Sequence, residues 1–252
     1  LGAEVVPVTF GARTLKDAVS AAMKDLLQNS DDTHYVIGSC LGPDPYPRMN
    51  RDFQSIIGSE IKQQLSGLPD YVVACVGGGS NALGAFTEFI PEQTVKLIGV
   101  EAGGRGDALG QHAKRFPDAK KGIIEGYKSY FLQDDDGNTA STHSVAAGLD
   151  YIGIGPELAQ LHDSGRVIFT SASDTEALSA VKTLAETEGI VPALESAHAV
   201  SYGIKLAASL PKSKTLVINV SGRGDKDLFT LAKNFEFKSF LQFLNTEIQN
   251  YE

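Results

Sequence analysis

The sequence predicts an α/β fold, a three-layer arrangement in which helices flank a mostly parallel sheet, and three features predict it. Apolar, β-branched runs alternate along the chain with stretches of helical period, the pattern of strands covered by helices. One run, Tyr71-Val72-Val73-Ala74-Cys75-Val76, passes directly into Gly77-Gly78-Gly79-Ser80-Asn81 and an apolar helix. A second, Thr215-Leu216-Val217-Ile218-Asn219-Val220, ends in Ser221-Gly222-Arg223-Gly224. In parallel sheets ligands gather beyond the carboxyl ends of the strands, where both glycine-rich turns fall.

The 252 residues are 42% hydrophobic and 21% charged, enough apolar material for one large or two modest globular domains. A formal charge of −9 without any basic run argues against nucleic acid or an anionic membrane as the main partner. No apolar run has transmembrane length and the start has no signal-peptide shape, so a cytoplasmic or organelle-stroma enzyme is expected. Cys40 and Cys75 lack C-x-x-C spacing and are read as reduced core thiols. With no initiating Met, and a start that reads as a strand under way, the chain is expected to be a fragment.

In chain order, residues 5–8 read as a short strand, and residues 14–27 as an amphipathic helix capped at Thr14. A strand is expected at 35–40. The three prolines of Gly42-Pro43-Asp44-Pro45-Tyr46-Pro47 predict a loop that hinges two lobes. One helix follows over 49–65, with Phe53, Ile56, Ile57 and Ile61 on one face. The glycines after Val76 let the backbone approach a ligand and aim several N–H groups at one spot, a cup for a small anion. A plain strand-to-helix turn would need only one glycine. Neither Lys-Ser/Thr nor Gly-x-Gly-x-x-Gly spacing is present, so a single phosphate is the expected anion.

Residues 96–101 form the next expected strand, Gly103-Gly104-Arg105-Gly106 a flexible stretch, and the polar run 111–122 a solvated excursion. Residues 127–133 predict a strand, followed by a tight turn at Asp134-Asp135-Asp136-Gly137-Asn138, whose spacing does not suit calcium. The small residues and glycines of 146–156 suit a pocket wall around Asp150 better than a core. A strand is expected at 166–171 and a helix at 173–188, with Asp174 and Glu176 favourably placed in its first turn. Glu195 and His198 fall on the opening turns of a helix running to about residue 210. As a helix-dipole partner and a packed ring they need no further role; as site residues they would face the cleft. The last strand, 215–220, is followed by a helical tail, 228–251. The Arg-Gly-Asp and Asn-Val-Ser tripeptides at 223–225 and 219–221 carry no adhesion or glycosylation meaning in this context.

Five motifs in order carry a resemblance. They are Gly42-x-Asp44-Pro45-Tyr46-Pro47, Val76-Gly77-Gly78-Gly79-Ser80-Asn81-Ala82, Ala147-Gly148-Leu149-Asp150-Tyr151, Pro192-Ala193-Leu194-Glu195-Ser196-x-His198-Ala199 and Ser221-Gly222-Arg223-Gly224-Asp225-Lys226-Asp227. Together they resemble the β subunit of tryptophan synthase, a fold-type II pyridoxal-phosphate enzyme. The resemblance implies a lyase that condenses L-serine with indole to L-tryptophan and water. It implies that Gly77, Gly78, Gly79, Ser80 and Asn81 hold the cofactor phosphate, that Ser221 meets the pyridine nitrogen, and that Gly222, Gly148, Ser39 and Cys75 complete the cofactor site. A hydroxyl at the nitrogen, unlike a carboxylate, weakens the ring as an electron sink and favours loss of a β-hydroxyl. Glu195 is implied as catalytic beside the ring, and Asp150 in closure over the substrate. The carbonyls of Gly77, Tyr151 and Gly153 are implied ligands of a monovalent cation, Na+ or K+.

By the same resemblance, residues 1–48 are the remainder of an N-terminal, communication subdomain and 49–252 a C-terminal cofactor-binding domain. The Schiff-base lysine, in a His-Lys-x-Asn segment, and a Glu assisting indole attack would precede Leu1, so this stretch alone is expected to be inactive. Ser39 stands where the family usually has Thr, and Asp44 where it often has His. A β-β homodimer pairing with an α subunit or domain is implied. Two other readings stand beside this one. A serine hydrolase would use Ser80 in a nucleophile elbow with Asp150 and His198, and a pseudoenzyme would keep only the fold.

Overall fold

The computed structural model of the protein describes residues 2–11 and 13–251. Four parallel strands form its centre: β1 (Tyr71–Cys75), β2 (Lys96–Gly104), β5 (Val167–Ser173) and β6 (Leu216–Ile218), in the order β5-β2-β1-β6. A separate hairpin pairs β3 (Lys120–Ile124) with β4 (Tyr127–Phe131).

Side-chain alternation along the strands explains the layers. Along β1, Val73 and Cys75 enter one apolar cluster, while Val72 and Ala74, continued by Val76, enter another on the opposite face. The first cluster is roofed by α6 (Asp174–Glu188), α7 (Leu194–Ser209) and α8 (Leu228–Phe235) through Ala177, Val181, Ala197, Val200 and Leu231. The second is covered by α4 (Ser80–Phe86) and α5 (Pro156–Asp163), with Leu83, Phe86 and Leu158 fully buried. A central strand apolar on both faces thus enforces a three-layer sandwich. Helix α6 is fixed at its start by a capping box: Ser173 Oγ accepts from the Glu176 N–H, and Glu176 accepts from the Ser173 N–H.

Several expectations are corrected. Residues 5–8 form no strand. Val5 is 85% exposed, and no strand among the described residues pairs with its backbone. Residues 35–40 form no strand, and bend at 39–40; the carbonyl of Ile37 is taken by Asn50 Nδ2, at 2.9 Å. The proline segment is not loop throughout. Tyr46 and Pro47 open α2 (Tyr46–Gln54), since a proline in the first turn removes an N–H that has no helical partner. The single helix expected over 49–65 is two, α2 and α3 (Ile56–Gln64), breaking at Ser55. Upstream, α1 (Leu15–Gln28) follows Thr14 as expected, and α9 (Phe237–Tyr251) ends the chain's described part. Strand β2 runs on through Gly103 and Gly104, which are therefore not a flexible stretch, whereas β6 is shorter than 215–220.

The largest correction concerns 111–122. His112, Ala113 and Arg115 are buried, Arg115 completely. A guanidinium tolerates this only when paired and hydrogen-bonded, and Glu101 at the end of β2 provides the partner. Sequence polarity alone could not reveal that pair. Both cysteines are free and buried.

Candidate functional site

Strands β1 and β6 are neighbours, with Val73 opposite Ile218 and the Asn219 N–H bonded to the Val73 carbonyl at 2.8 Å. Both leave the sheet at its carboxyl edge side by side. That adjacency, across about 140 positions of chain, brings the turn 77–81 and the turn 219–222 to one cavity of about 520 Å3. Of the residues assigned by resemblance, Gly77, Gly78, Gly79, Ser80, Asn81, Ser221, Gly222, Gly148, Ser39, Cys75, Glu195 and Tyr151 line it, and Asp150 and Gly153 do not. The volume suits a cofactor-sized ligand.

Close packing presses on all three glycines, against main chain at Gly77 and against side chains at Gly78 and Gly79. A Cβ on Gly77 would strike the carbonyl oxygen of Gly148, one on Gly78 the Oγ of Ser39, and one on Gly79 the side chain of Leu158, all closer than real Cβ atoms come. Gly79 also has φ +110°, a left-handed conformation that an L side chain resists. The result is a cradle of exposed backbone with no cationic side chain in the loop, which fits a phosphate held by amides.

Behind the cradle lies a polar chain. Asn219 Nδ2 donates to Asn81 Oδ1 at 3.0 Å, Asn81 Nδ2 donates to the Cys75 carbonyl at 3.0 Å, and Ser221 Oγ lies 3.9 Å from Cys75 Sγ. Burial pushes the Cys75 thiol up to about 11, so it stays neutral. The hydroxyl of Ser221 is thereby tied, through uncharged groups, to Asn81 at the end of the cup.

Charge enters at one side only. Glu195 accepts from the Gly148 N–H at 2.9 Å and pairs with Lys226 Nζ at 2.8 Å. Burial alone would raise its carboxyl, yet the Lys226 ammonium and the Gly148 N–H hold it below the usual carboxylate range. Lys226 answers in kind: burial opposes its charge, but Asp227 and Glu195 hold it above the ordinary lysine range. A lysine so firmly protonated is a poor nucleophile, although it lines the cavity. Asp227 also accepts from the Leu194 N–H at 2.9 Å, fastening the second turn to the start of α7. Lys226 and Asn219 were missed as site residues by sequence reasoning, and their only signal was their place in the second glycine-rich turn.

His198 is fully buried, its Nδ1 2.8 Å from the Leu194 carbonyl, and it does not line the cavity. Burial depresses its basicity. No histidine is among the described residues lining the cavity, so Ser80 there lacks the base a hydrolase elbow needs. Asp150 Oδ1 is buried with no hydrogen-bond partner among the described residues.

Two of the three carbonyls assigned to a monovalent cation, those of Gly77 and Tyr151, are otherwise engaged. Arg115 Nη2 donates to the carbonyls of Gly77 (2.9 Å) and Val76 (2.7 Å), and Nη1 reaches those of Ala113 (2.5 Å) and Tyr151 (3.4 Å). An alkali ion shared by Gly77 and Tyr151 would stand about 5 Å from this guanidinium. Like charges there repel by roughly 3 kcal/mol at an effective dielectric near 20. The residues present do not fit that ion.

A parallel sheet with a glycine cradle after one strand and a hydroxyl-bearing turn after its neighbour is an arrangement that suits the fold-type II class of pyridoxal-phosphate enzymes. The chain matches the family model described as pyridoxal-phosphate dependent enzyme over residues 1–222, and it belongs to that family. Within it, the chain is 54% identical over 232 residues to tryptophan synthase beta chain 1 of Chlamydia caviae, covering 90% of this chain and 56% of that relative. It is 53% identical over 253 residues to the tryptophan synthase beta chain of Helicobacter hepaticus, covering 98% and 60% respectively. The chain thus spans somewhat under two thirds of the length of these relatives. A solved fungal L-serine ammonia-lyase from Rhizomucor miehei shares the fold, with a TM-score of 0.58 at 21% identity, over 83% of this chain and 63% of that one.

Proposed function

We propose that the protein is a tryptophan synthase β chain, replacing the hydroxyl of L-serine with indole to give L-tryptophan and water. One observation carries the reading: the 77–81 cradle and Ser221 line a single cavity from adjacent strands, in a chain more than half identical to two relatives of that name. Bound pyridoxal phosphate supplies an electron sink for the substrate's α-carbon. The protein's part is binding, orientation and exclusion of water. The amides of 77–81 hold the phosphate. Ser221, steadied by Cys75, offers a neutral hydroxyl to the pyridine nitrogen, which keeps the sink weak and favours loss of the β-hydroxyl. Glu195, kept ionised by Lys226, presents a fixed negative charge beside the ring. Apolar walls from Leu15, Val19, Leu41 and Leu149 keep water out. Asp150, with a buried oxygen unpaired among the described residues, takes part in closure.

The same reading divides the chain into a communication subdomain, 1–48, and a cofactor domain, 49–252. It assigns a cytoplasmic β-β homodimer working with an α subunit or domain. None of the described helices is long and apolar enough to cross a membrane. The test is the natural-length protein with pyridoxal phosphate, L-serine and indole: tryptophan should form only when all three are present. A cofactor-loaded protein that makes no tryptophan, or a fluorophosphonate adduct on Ser80, would overturn the assignment.

A further inference from the structure

Arg115 is the largest fully buried side chain among the described residues, and none of the roles assigned above uses it. Its Nε lies 2.8 Å from Glu101 Oε1, an ion pair without hydrogen-bond alignment. Glu101 in turn accepts from the N–H groups of Arg115 (2.9 Å) and Phe116 (3.1 Å), which locks the 113–116 segment beneath the sheet edge. The four N–H bonds of the two terminal nitrogens end on four main-chain carbonyls, those of Val76, Gly77, Ala113 and Tyr151. Gly77 belongs to the phosphate cradle and Val76 leads into it. A third, that of Tyr151, belongs to the segment whose Gly148 and Leu149 pack against Gly77.

One positive charge surrounded by main-chain carbonyls, with a single carboxylate behind it, is the environment a protein builds for a bound monovalent cation. Two of the three carbonyls that the family resemblance assigns to such an ion are those Arg115 engages. We propose that Arg115 is a built-in monovalent cation, a guanidinium that joins the cradle to the neighbouring 148–151 wall, so that the cofactor site is organised without bound Na+ or K+. The proposal rests on the reading of this cavity as the cofactor site. An attached guanidinium differs from an exchangeable ion in three ways: it cannot dissociate, its planar fork fixes the directions in which carbonyls are held, and its charge does not follow the salt in the medium. Arg115 is therefore a positioning residue, acting on the cofactor through the Val76–Gly77 backbone.

The test uses the natural-length holoprotein in chloride salts of sodium, potassium, caesium and tetramethylammonium, at one ionic strength so that general screening is constant. Pyridoxal-phosphate affinity, read by cofactor fluorescence, is expected to agree within about threefold in all four salts. Tightening beyond that by any alkali ion over tetramethylammonium, which is too bulky for a carbonyl cage, overturns the proposal. Arg115→Ala opens a cation-sized space. It is expected to bind the cofactor at least about tenfold more weakly in tetramethylammonium and to recover about tenfold with potassium or millimolar guanidinium. A folded variant that no small cation restores would reduce Arg115 to a packing role and end the proposal. Should the variant not fold, the salt series on the parent protein decides alone. Failure of the cofactor reading is distinguishable, because pyridoxal phosphate then binds in no salt; the thermal melt in the same series carries the test, and an alkali-specific rise again refutes it.

Discussion

Replacing Gly77 by Ala tests whether the cradle is shaped by backbone contact. The added Cβ would meet the Gly148 carbonyl oxygen well inside 3.0 Å, with Leu149 Cδ2 at 3.3 Å and Leu149 Cα at 3.4 Å. The nearest obstacles include main-chain atoms, which have no rotamer by which to escape. Gly148 is moreover held by the Glu195 carboxylate at 2.9 Å, and Gly77 by Arg115 at 2.9 Å. One segment must therefore move by roughly 1 Å to regain ordinary contact. Overpacking of this kind costs about 1–3 kcal/mol, or a melt lowered by about 2–4 °C per kcal/mol in a chain of this size. Because the displaced groups are the cradle itself, cofactor affinity should fall by roughly 10- to 100-fold, more than the melt alone implies. The assay is a fluorescence titration with pyridoxal phosphate beside a thermal melt. Two controls separate the causes. Gly67→Ala meets nothing within 4 Å at an ordinary φ and should change neither quantity. Gly137→Ala, also in open space but at φ +84°, should lower the melt by about 1 kcal/mol and leave the cofactor untouched. Unchanged affinity in Gly77→Ala would refute the argument that contact with Gly148 sets the cup.

Two further outcomes are expected. The Glu195–Lys226 pair stabilises the fold within a defined pH window. Glu195 lies below its ordinary 4.5, so its contribution is present above that pH and lost as pH falls through the depressed value. Lys226 lies above its ordinary 10.5, so its contribution is present below that pH and lost as pH rises through the raised value. Lys226→Met should lower the melt at neutral pH by up to about 1 kcal/mol, since Lys226 is partly exposed, and should remove its share of the alkaline loss; an unchanged pH–melt profile would count against the pairing. Arg166 offers a contrast remote from the cavity. It donates to the carbonyls of Phe89, Ile90, Glu92 and Val95, and Arg166→Met should cost about 2–4 kcal/mol in the melt with cofactor affinity unaltered. A loss of affinity would show that the two ends of the sheet are coupled.

The sequence by itself determined what depends on neighbours in the chain. The valine-rich run ending in three glycines, the acidic first turn at Asp174 and Glu176, and the small residues around Gly148 each carry their meaning in a few consecutive positions, because propensity, helix-end electrostatics and turn chemistry are local. The fold class followed from the alternation of these local signals. The tertiary structure decided the rest, because it depends on which strand lies beside which. Only the β1–β6 pairing brings Ser221 into one cavity with Ser80 and links Asn219 to Asn81. Residues 5–8 and 35–40 have strand-like composition, yet no strand edge is there to receive them. Arg115 is the sharpest case. In a run such as Gln111-His112-Ala113-Lys114-Arg115 a guanidinium belongs in water, and it is buried here because Glu101 and four carbonyls from separate segments converge to replace that water. No window of sequence contains that convergence.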